Sequence, residues 1–230
     1  MNWADYWNQD TTLYANERHK QVHFAGIARD LIRCIRSPDA RVVDYGCGEA
    51  LSADLVAAAC GHLYLCDSAS RTRERLTARF GTMPNISVIS PEAFDALPAG
   101  SVDLIVANSV VQYLSAEQFA AFLATARAKL APGGDLVLGD IIPRNVGPLT
   151  DAFQLLRFGW GNGFFLAACF GLVRSFFSSY RKMRAKLGLL QLDQQQVIDM
   201  LASAGFSARN HLPNLGHNSA RMTLIARVAP

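Results

Sequence analysis

The stretch VVDYGCGEA at residues 42–50 is a short apolar run that leads into a turn with two glycines and two acidic side chains. Such a run is typical of a strand that is buried on both faces of a parallel sheet. Gly46 and Gly48 let the backbone approach a ligand closely, and a following helix offers free N–H groups at the same place. We therefore predict a ligand site at the carboxyl edge of an open α/β sheet.

From residue 41 onward, strand-like and helix-like patterns alternate, which predicts a mainly parallel sheet with helices on both faces. The predicted strands are 41–45, 62–66, 86–90, 102–107 and 134–142, and the predicted helices are 49–60, 69–80 and 115–130. A helix at 193–204 and an antiparallel hairpin of strands at 206–212 and 220–228 follow. The predicted fold is a three-layer α/β sandwich around a seven-stranded, mainly parallel sheet.

Two regions lie outside this alternation, within what we predict to be a single domain of residues 1–230. Residues 1–36 are predicted to form helices, one of them at 17–36. Residues 143–192 form a long insertion after the fifth strand, and a connection of that length is expected to have its own structure. Six apolar residues in it recur at helical spacing, namely Leu166, Phe170, Val173, Phe177, Tyr180 and Leu187. Five basic residues accompany them, namely Arg174, Arg181, Lys182, Arg184 and Lys186.

The composition favours a globular protein of the cytoplasm. Half of the 230 residues are hydrophobic and 18% are charged. A net charge of +3 is too small to indicate a nucleic-acid partner. The five cysteines show no zinc spacing, so we expect reduced core thiols and no metal site. The first residues lack the apolar segment of a signal peptide, and the longest apolar run, 163–173, is too short to span a bilayer.

Two classes of ligand use a glycine turn of this kind. A dinucleotide needs G-x-G-x-x-G, and Leu51 occupies the position of the third glycine. Asp44 and Glu49 also fit better beside a cation than beside a pyrophosphate. Ala50 is expected in the first turn of a helix, where alanine is favoured and a positive φ is not required.

At these residues the sequence resembles the class I S-adenosylmethionine-dependent methyltransferases. VVDYGCGEA resembles their motif I, and LYLCDSAS at 63–70 resembles the second strand with its terminal acid. The segments at 87–114 and 130–141 resemble the third to fifth strands. The resemblance implies a Rossmann-like fold, S-adenosylmethionine as cofactor and S-adenosylhomocysteine as product. The segment NSVVQYL, 108–114, resembles the small-molecule members rather than the enzymes that methylate adenine or glutamine.

The resemblance also implies roles for individual residues. Asp44 and Gly46 are expected near the methionine part of the cofactor, and Asp67 at the ribose hydroxyls. The remaining cofactor positions are Cys47, Gly48 and Ser68 at the turn, Glu92 and Ala93 at the adenine, and Asn108 and Ser109 at the amino-acid end. Gln112 and Tyr113 face either the cofactor or the core. Trp3, Tyr6, Trp7 and Tyr14 are interpreted as a flap over the cofactor, with ordinary docking of a terminal helix as the alternative.

A general base is needed only if the acceptor carries a proton that it must lose. The candidates are His19 and His23, which lie four residues apart on one helical face, and Asp140 at the end of the fifth strand. His217 is a further candidate of lower rank. The alternative is that these histidines pack or lie on the surface.

The resemblance implies that the insertion covers the acceptor as a helical lid, and its apolar stripe suggests a small, mainly apolar or aromatic metabolite, methylated on oxygen or nitrogen. The basic side of the lid suits a carrier protein, an anionic membrane surface or solvent, and the lid also offers a surface for a homodimer. Two alternatives to a methyltransferase stay open at this point. They are an NAD(P)-dependent oxidoreductase and a non-catalytic protein that binds S-adenosylmethionine.

Overall fold

The structure, a computed structural model, describes residues 3–8, 14–176, 183 and 187–228. Its strands are β1 Arg41–Tyr45, β2 His62–Cys66, β3 Ile86–Ile89, β4 Val102–Asn108, β5 Leu130–Ile141, β6 Phe206–His211 and β7 Met222–Val228. They form one sheet in the order β3-β2-β1-β4-β5-β7-β6. The first five are parallel, and β7 pairs antiparallel with both β5 and β6. The predicted sheet and its antiparallel hairpin are therefore confirmed.

The sheet is covered on both faces, which explains the continuous apolar runs of its strands. Val42 and Val43 are both fully buried, yet they belong to two different hydrophobic clusters. The same division separates Leu104 from Ile105 in the neighbouring strand. Because successive side chains of a strand point to opposite faces, each strand contributes to two cores at once.

Helices surround the sheet, two further helices lie in the insertion, and the last helix follows it. They are α1 Trp3–Trp7, α2 Glu17–Cys34, α3 Ala53–Ala57, α4 Ser70–Phe80, α5 Pro91–Asp95, α6 Ala116–Lys129, α7 Pro148–Asn162, α8 Phe165–Phe176 and α9 Gln194–Ser203. A 3₁₀ turn covers Val111–Tyr113. Ser115 and Gln118 form the predicted capping box at the start of α6. None of the described helices is long and apolar enough to cross a membrane.

The prediction for the residues after the glycine turn is wrong in one respect. The helix expected at 49–60 is shorter and begins only at Ala53. Ala50 has a φ of +38°, so it continues the left-handed backbone of Gly46 and Gly48 instead of starting the helix. The turn is thus longer than expected, and alanine occupies a conformation that ordinarily favours glycine.

The part of the apolar stripe that lies on α8 does not face the cavity described below, whereas Leu187 lines it. Leu166, Phe170 and Val173 are exposed to solvent, whereas Ala168 on the other side of α8 is fully buried. The helix is apolar on both sides, so its periodicity could not decide which side packs inward. Phe177 and Tyr180 lie outside the described residues, as do Arg181, Lys182, Arg184 and Lys186.

Candidate functional site

A cavity of about 920 Å³ lies at the edge of the sheet where β1, β4 and β5 end. The glycine turn and the ends of these strands form one wall. The rest of the lining comes from helix α2, both tryptophans of α1, residues 187, 188 and 190 of the insertion, and His217. The volume is within the range of small-molecule and cofactor sites. The cavity is therefore at the edge predicted from the glycine turn.

The two glycines of the turn are required for different reasons. Gly46 has a φ of +73°, and a Cβ there would lie 2.4 Å from the Cγ2 atom of Val110. Gly48 has a φ of +58°, but a Cβ there would meet nothing within 4 Å. Glycine is thus required at position 46 both by the left-handed backbone and by the packing of Val110. At position 48 only the left-handed backbone favours glycine, because the space beside it is open.

Asp67 joins the turn to the end of β2. One of its carboxylate oxygens accepts a hydrogen bond from the Gly48 N–H at 3.0 Å, and the other accepts from the Ala69 N–H at 2.8 Å. Burial raises the pKa of Asp67 above its usual value, while these two hydrogen bonds act in the opposite direction. Burial and the nearby charge of Asp67 raise the pKa of Asp44 to about 7. Two buried carboxylates in one wall favour a positively charged ligand, which would relieve their repulsion.

Three buried polar atoms among the described residues have no hydrogen-bond partner: Nδ1 of His23, Oδ1 of Asn108 and Oε1 of Gln112. All three residues line the cavity. Buried polar atoms are normally paired, because an unpaired one costs about 1–3 kcal/mol. Three residues that line one cavity therefore retain hydrogen-bonding capacity that the described protein does not use.

Backbone strain is concentrated in the same wall. The positive-φ residues other than glycine in the described chain are Ala50, Ser109 and Asp140, and each of them lines the cavity. The Ser109 hydroxyl donates to Oδ2 of Asp140 at 2.7 Å, and the side-chain oxygen of Asn214 accepts from the Asp140 N–H at 3.2 Å. Burial raises the pKa of Asp140. Such strained positions persist where the surrounding structure holds them, and they are common at functional sites.

Three histidines and Tyr14 form a cluster of rings in the cavity lining. The ring centres of His19, His23 and His217 are 5.8–6.2 Å apart, and Tyr14 lies 5.4 Å from His19 and 5.5 Å from His23. Burial lowers the pKa of His23 to about 3, and the other two histidines add to this effect. Burial also lowers the pKa of His19 to about 4 and that of His217 to about 4. At neutral pH the cluster is therefore uncharged.

Two phenylalanines of the insertion fix the orientation of the imidazoles. Phe164 stacks on His19 with ring centres 4.8 Å apart, and Phe158 stacks on His217 at 4.3 Å. The Nδ1 atom of His19 already accepts the Ala15 N–H at 3.1 Å, so a neutral His19 carries its proton on Nε2. Nδ1 of His23, by contrast, has no partner. No group of histidine, cysteine and acidic side chains in the described ranges is arranged to bind a metal ion.

The N-terminal aromatic residues contribute to the cavity wall in part. Trp3 and Trp7 line the cavity and pack on Tyr113 with ring centres 4.8 and 5.4 Å apart. Tyr6 is 2% exposed and is absent from the wall. Burial raises the pKa of Tyr14 above its usual value, which keeps its phenol neutral.

The structure brings most of the predicted site residues to this cavity. Those that line it are Tyr14, His19, His23, Asp44, Gly46, Cys47, Gly48, Asp67, Ser68, Asn108, Ser109, Tyr113, Asp140 and His217. Glu92 and Ala93 do not line it and are exposed, because the Ser90 hydroxyl caps α5 and turns its first residues outward. Pro91 lines the cavity in their place.

Comparison with known proteins is consistent with this geometry. Residues 42–134 match a family described as a methyltransferase domain. This segment of the chain is similar to a methyltransferase domain. The match covers the glycine turn, Asp67 and the end of β4, which together form the first wall of the cavity. A comparison with curated proteins finds no match.

Several solved structures share the fold of this chain. The DhpI–SAH complex is 15% identical with a TM-score of 0.62, and the similarity covers 99% of this chain and 95% of that one. A Haloferax volcanii complex of the Trm112 methyltransferase activator with a methyltransferase is 12% identical with a TM-score of 0.63, over 100% and 99% of the chains. Human N-acetylserotonin methyltransferase in complex with SAM is 14% identical with a TM-score of 0.58, over 88% of this chain and 52% of that one. The Rossmann-like methyltransferase fold predicted from the sequence is thereby confirmed.

Proposed function

We propose that the chain transfers a methyl group from S-adenosylmethionine to a small, mainly apolar or aromatic metabolite and releases S-adenosylhomocysteine. The observation that carries this proposal is that the three unpartnered buried polar atoms belong to residues around one cavity, beside the glycine turn of the methyltransferase domain. The size of the cavity suits a cofactor together with a small acceptor.

The cofactor half of the cavity consists of the glycine turn and the two carboxylates. S-adenosylmethionine supplies a methyl group already activated on a positively charged sulfur. Gly48 leaves space for its approach, and the lone pairs that Asp67 retains beyond its two backbone hydrogen bonds suit the ribose hydroxyls. A cationic donor beside Asp44 would lower the pKa of that carboxyl again. The solved complexes of DhpI with SAH and of human N-acetylserotonin methyltransferase with SAM support this cofactor.

The acceptor half is the wall of imidazole and aromatic rings, where His23 is the proposed base. Its Nδ1 atom is unpartnered and, in the tautomer with the proton on Nε2, is free to accept a proton. A pKa of about 3 makes His23 a weak base. Such a base suffices here, because an oxygen or nitrogen acceptor becomes strongly acidic as its bond to the methyl group forms. We propose that His19, Tyr14 and His217 position the acceptor beside it.

The insertion closes the acceptor half with its last residues rather than with α8. Leu187 and Leu190 line the cavity, and the Leu190 N–H donates to the Gln112 carbonyl oxygen at 2.9 Å. Trp3 and Trp7 close the same cavity from the N-terminal side. A closed, weakly polar site favours methyl transfer, because charge leaves the sulfur as the reaction proceeds.

The experiment is calorimetry of the full chain with S-adenosylhomocysteine and with NAD, followed by a turnover assay with S-adenosylmethionine and a panel of phenols, amines and heteroaromatic amines. We expect S-adenosylhomocysteine to bind and NAD not to bind. Binding of NAD alone would overturn the proposal. Binding of S-adenosylhomocysteine without turnover of any acceptor would instead favour the non-catalytic alternative.

His23→Gln separates the proposed base from the cofactor half. With a turned-over acceptor, we expect kcat to fall by about 100-fold, the lower end of general-base effects, while the Kd for S-adenosylhomocysteine stays unchanged. His62→Gln is the matched control, because His62 contacts the Ser87 hydroxyl at 2.9 Å and is absent from the cavity wall. Equal kcat values for the two variants would exclude His23 as the base.

A further inference from the structure

Helices α7 and α8 carry an unusual concentration of exposed apolar side chains. Among the described residues, nine large apolar side chains are exposed, and six of them lie on these two helices. The α7–α8 patch consists of Leu149, Phe153, Trp160, Leu166, Phe170 and Val173, which are between 62% and 87% exposed. Isolated exposed apolar residues are ordinary on a protein surface, but a concentration of this kind indicates an interaction site.

The spacing shows that the patch is formed by one face of each helix. On α7 the positions 149, 153 and 160 fall within a narrow arc at 100° per residue, and on α8 the positions 166, 170 and 173 do the same. Trp160 of one helix contacts Phe165 of the other with ring centres 5.5 Å apart. The patch therefore extends along two helices of 15 and 12 residues that pack on each other.

The internal packing of the protein does not require the patch. The two helices are joined through their other sides, where a Cβ on Gly159 would lie 3.1 Å from the Ala168 side chain. Phe158 of α7 stacks on His217, and Phe164, which lies between the two helices in sequence, stacks on His19. None of the six patch residues lines the large cavity or the smaller one beside His217. An occupant of the patch must come from outside these contacts.

The segment of sequence that carries five of the six patch residues is basic. Asp151, the acidic residue of α7, accepts hydrogen bonds from Asn218 and Arg221. Residues 152–192 contain six of the 22 lysine and arginine residues of the chain and none of its 19 acidic residues. This segment has a net charge of +6 within a chain of +3, so the rest of the protein is −3. Arg157 of α7 and Arg174 of α8 are exposed. An occupant with negative charge is favoured at this site.

We propose that the α7–α8 patch binds the surface of an anionic membrane. Helices that combine Trp, Phe and Leu on one face with basic residues around it are typical of segments that lie in the lipid headgroup region. A second copy of the chain would bring two strongly basic segments together, and charge repulsion opposes that arrangement. The apolar side chains also project along two helix faces instead of surrounding a pocket for one partner residue. The helices would lie on the bilayer, since none of the described helices is suited to cross it.

Sedimentation with vesicles tests this proposal independently of the proposed reaction. The full chain is mixed with vesicles of phosphatidylcholine containing about 30% phosphatidylserine, and with pure phosphatidylcholine, at about 0.1 M salt. We expect binding to the anionic vesicles that weakens as salt rises. The triple variant Phe153→Ser, Trp160→Ser and Phe170→Ser should bind at least tenfold more weakly. Arg157→Glu should weaken binding to anionic vesicles only.

A matched control replaces exposed leucines elsewhere. Leu55 and Leu212 are 50% and 78% exposed and lie outside α7 and α8. The double variant Leu55→Ser and Leu212→Ser should bind vesicles as the unaltered chain does. Calorimetry with S-adenosylhomocysteine checks that every variant is folded, and its result does not depend on vesicle binding.

Two outcomes would overturn the proposal. The first is no binding to the anionic vesicles, and the second is equal binding by the unaltered chain and the triple variant. If vesicles are not bound, two measurements identify the alternative occupant. Self-association measured by sedimentation velocity and lost in the triple variant would identify a second copy, and binding to a purified acidic acyl carrier protein would identify a protein partner.

Discussion

Asp67→Asn tests whether the carboxylate at the end of β2 binds the cofactor or only shapes the turn. Its two oxygens accept the Gly48 and Ala69 N–H groups at 3.0 and 2.8 Å. An amide keeps one acceptor oxygen but places an NH₂ group against the other N–H. We expect this unpaired N–H to lower the free energy of unfolding by about 1–3 kcal/mol. Urea denaturation measures this loss.

The effect on the cofactor is separate from the effect on folding. If Asp67 also accepts from the ribose, the variant loses a hydrogen bond to a charged group, which is worth about 1.5–3 kcal/mol. The Kd for S-adenosylhomocysteine should then rise about 10- to 100-fold. Calorimetry at a pH and urea concentration where the variant is fully folded gives this value directly.

Asp103→Asn is the matched control for Asp67→Asn. Asp103 accepts three hydrogen bonds from Arg41, at 2.8, 2.9 and 3.0 Å, near the start of β1 and therefore at the opposite edge of the sheet. It should lose stability without any change in the Kd for S-adenosylhomocysteine. The ribose assignment is refuted if Asp67→Asn behaves in the same way, with lower stability and an unaltered Kd.

Three further substitutions test the turn and the histidine wall. Gly46→Ala should lower the free energy of unfolding by about 3 kcal/mol or more, because it combines a left-handed backbone with a clash against Val110. Gly48→Ala should lower the free energy of unfolding by only about 1–2 kcal/mol, and its main effect should be weaker binding of S-adenosylhomocysteine. Equal losses in urea denaturation would contradict this distinction. The pKa of His23 is lowered in the folded state. Its contribution to the free energy of unfolding is therefore fully present above pH 6.5 and is lost as pH falls toward 3. Between pH 6.5 and 5, the unaltered chain should lose about 2 kcal/mol more of its free energy of unfolding than His23→Gln does. If the free energies of the two proteins change in parallel with pH, His23 is not buried in its neutral form.

The sheet and the cofactor half of the site could be predicted from the sequence because both depend on local patterns. A strand buried on both faces is a continuous apolar run, and β1 and β4 are runs of this kind. The carboxyl ends of parallel strands meet at one edge, so Asp44, Asp67 and Asn108 could be placed together before any contact was known. The capping box of α6 is likewise encoded within four residues, Ser115 to Gln118.

The features that could not be predicted depend on contacts distant in sequence. Helix α8 is apolar on both sides, and only its packing against α7 and the N-terminal segment decides that Leu166 points outward. The positive φ of Ala50 comes from the extended turn around the cavity, not from the preference of alanine for helices. Glu92 lies after β3, as predicted, but the Ser90 hydroxyl caps α5 and turns Glu92 away from the cavity.

The cavity wall is divided between two kinds of sequence. Asp44, Gly48 and Asp67 lie within the segment 42–134 that matches the methyltransferase family, whereas the histidines and Leu190 lie outside it. If the proposed reaction is correct, its donor and acceptor halves can therefore diverge separately. A chimera that exchanges 42–134 for the equivalent segment of another methyltransferase would keep its acceptor preference, while exchange of the flanking segments would transfer a new one.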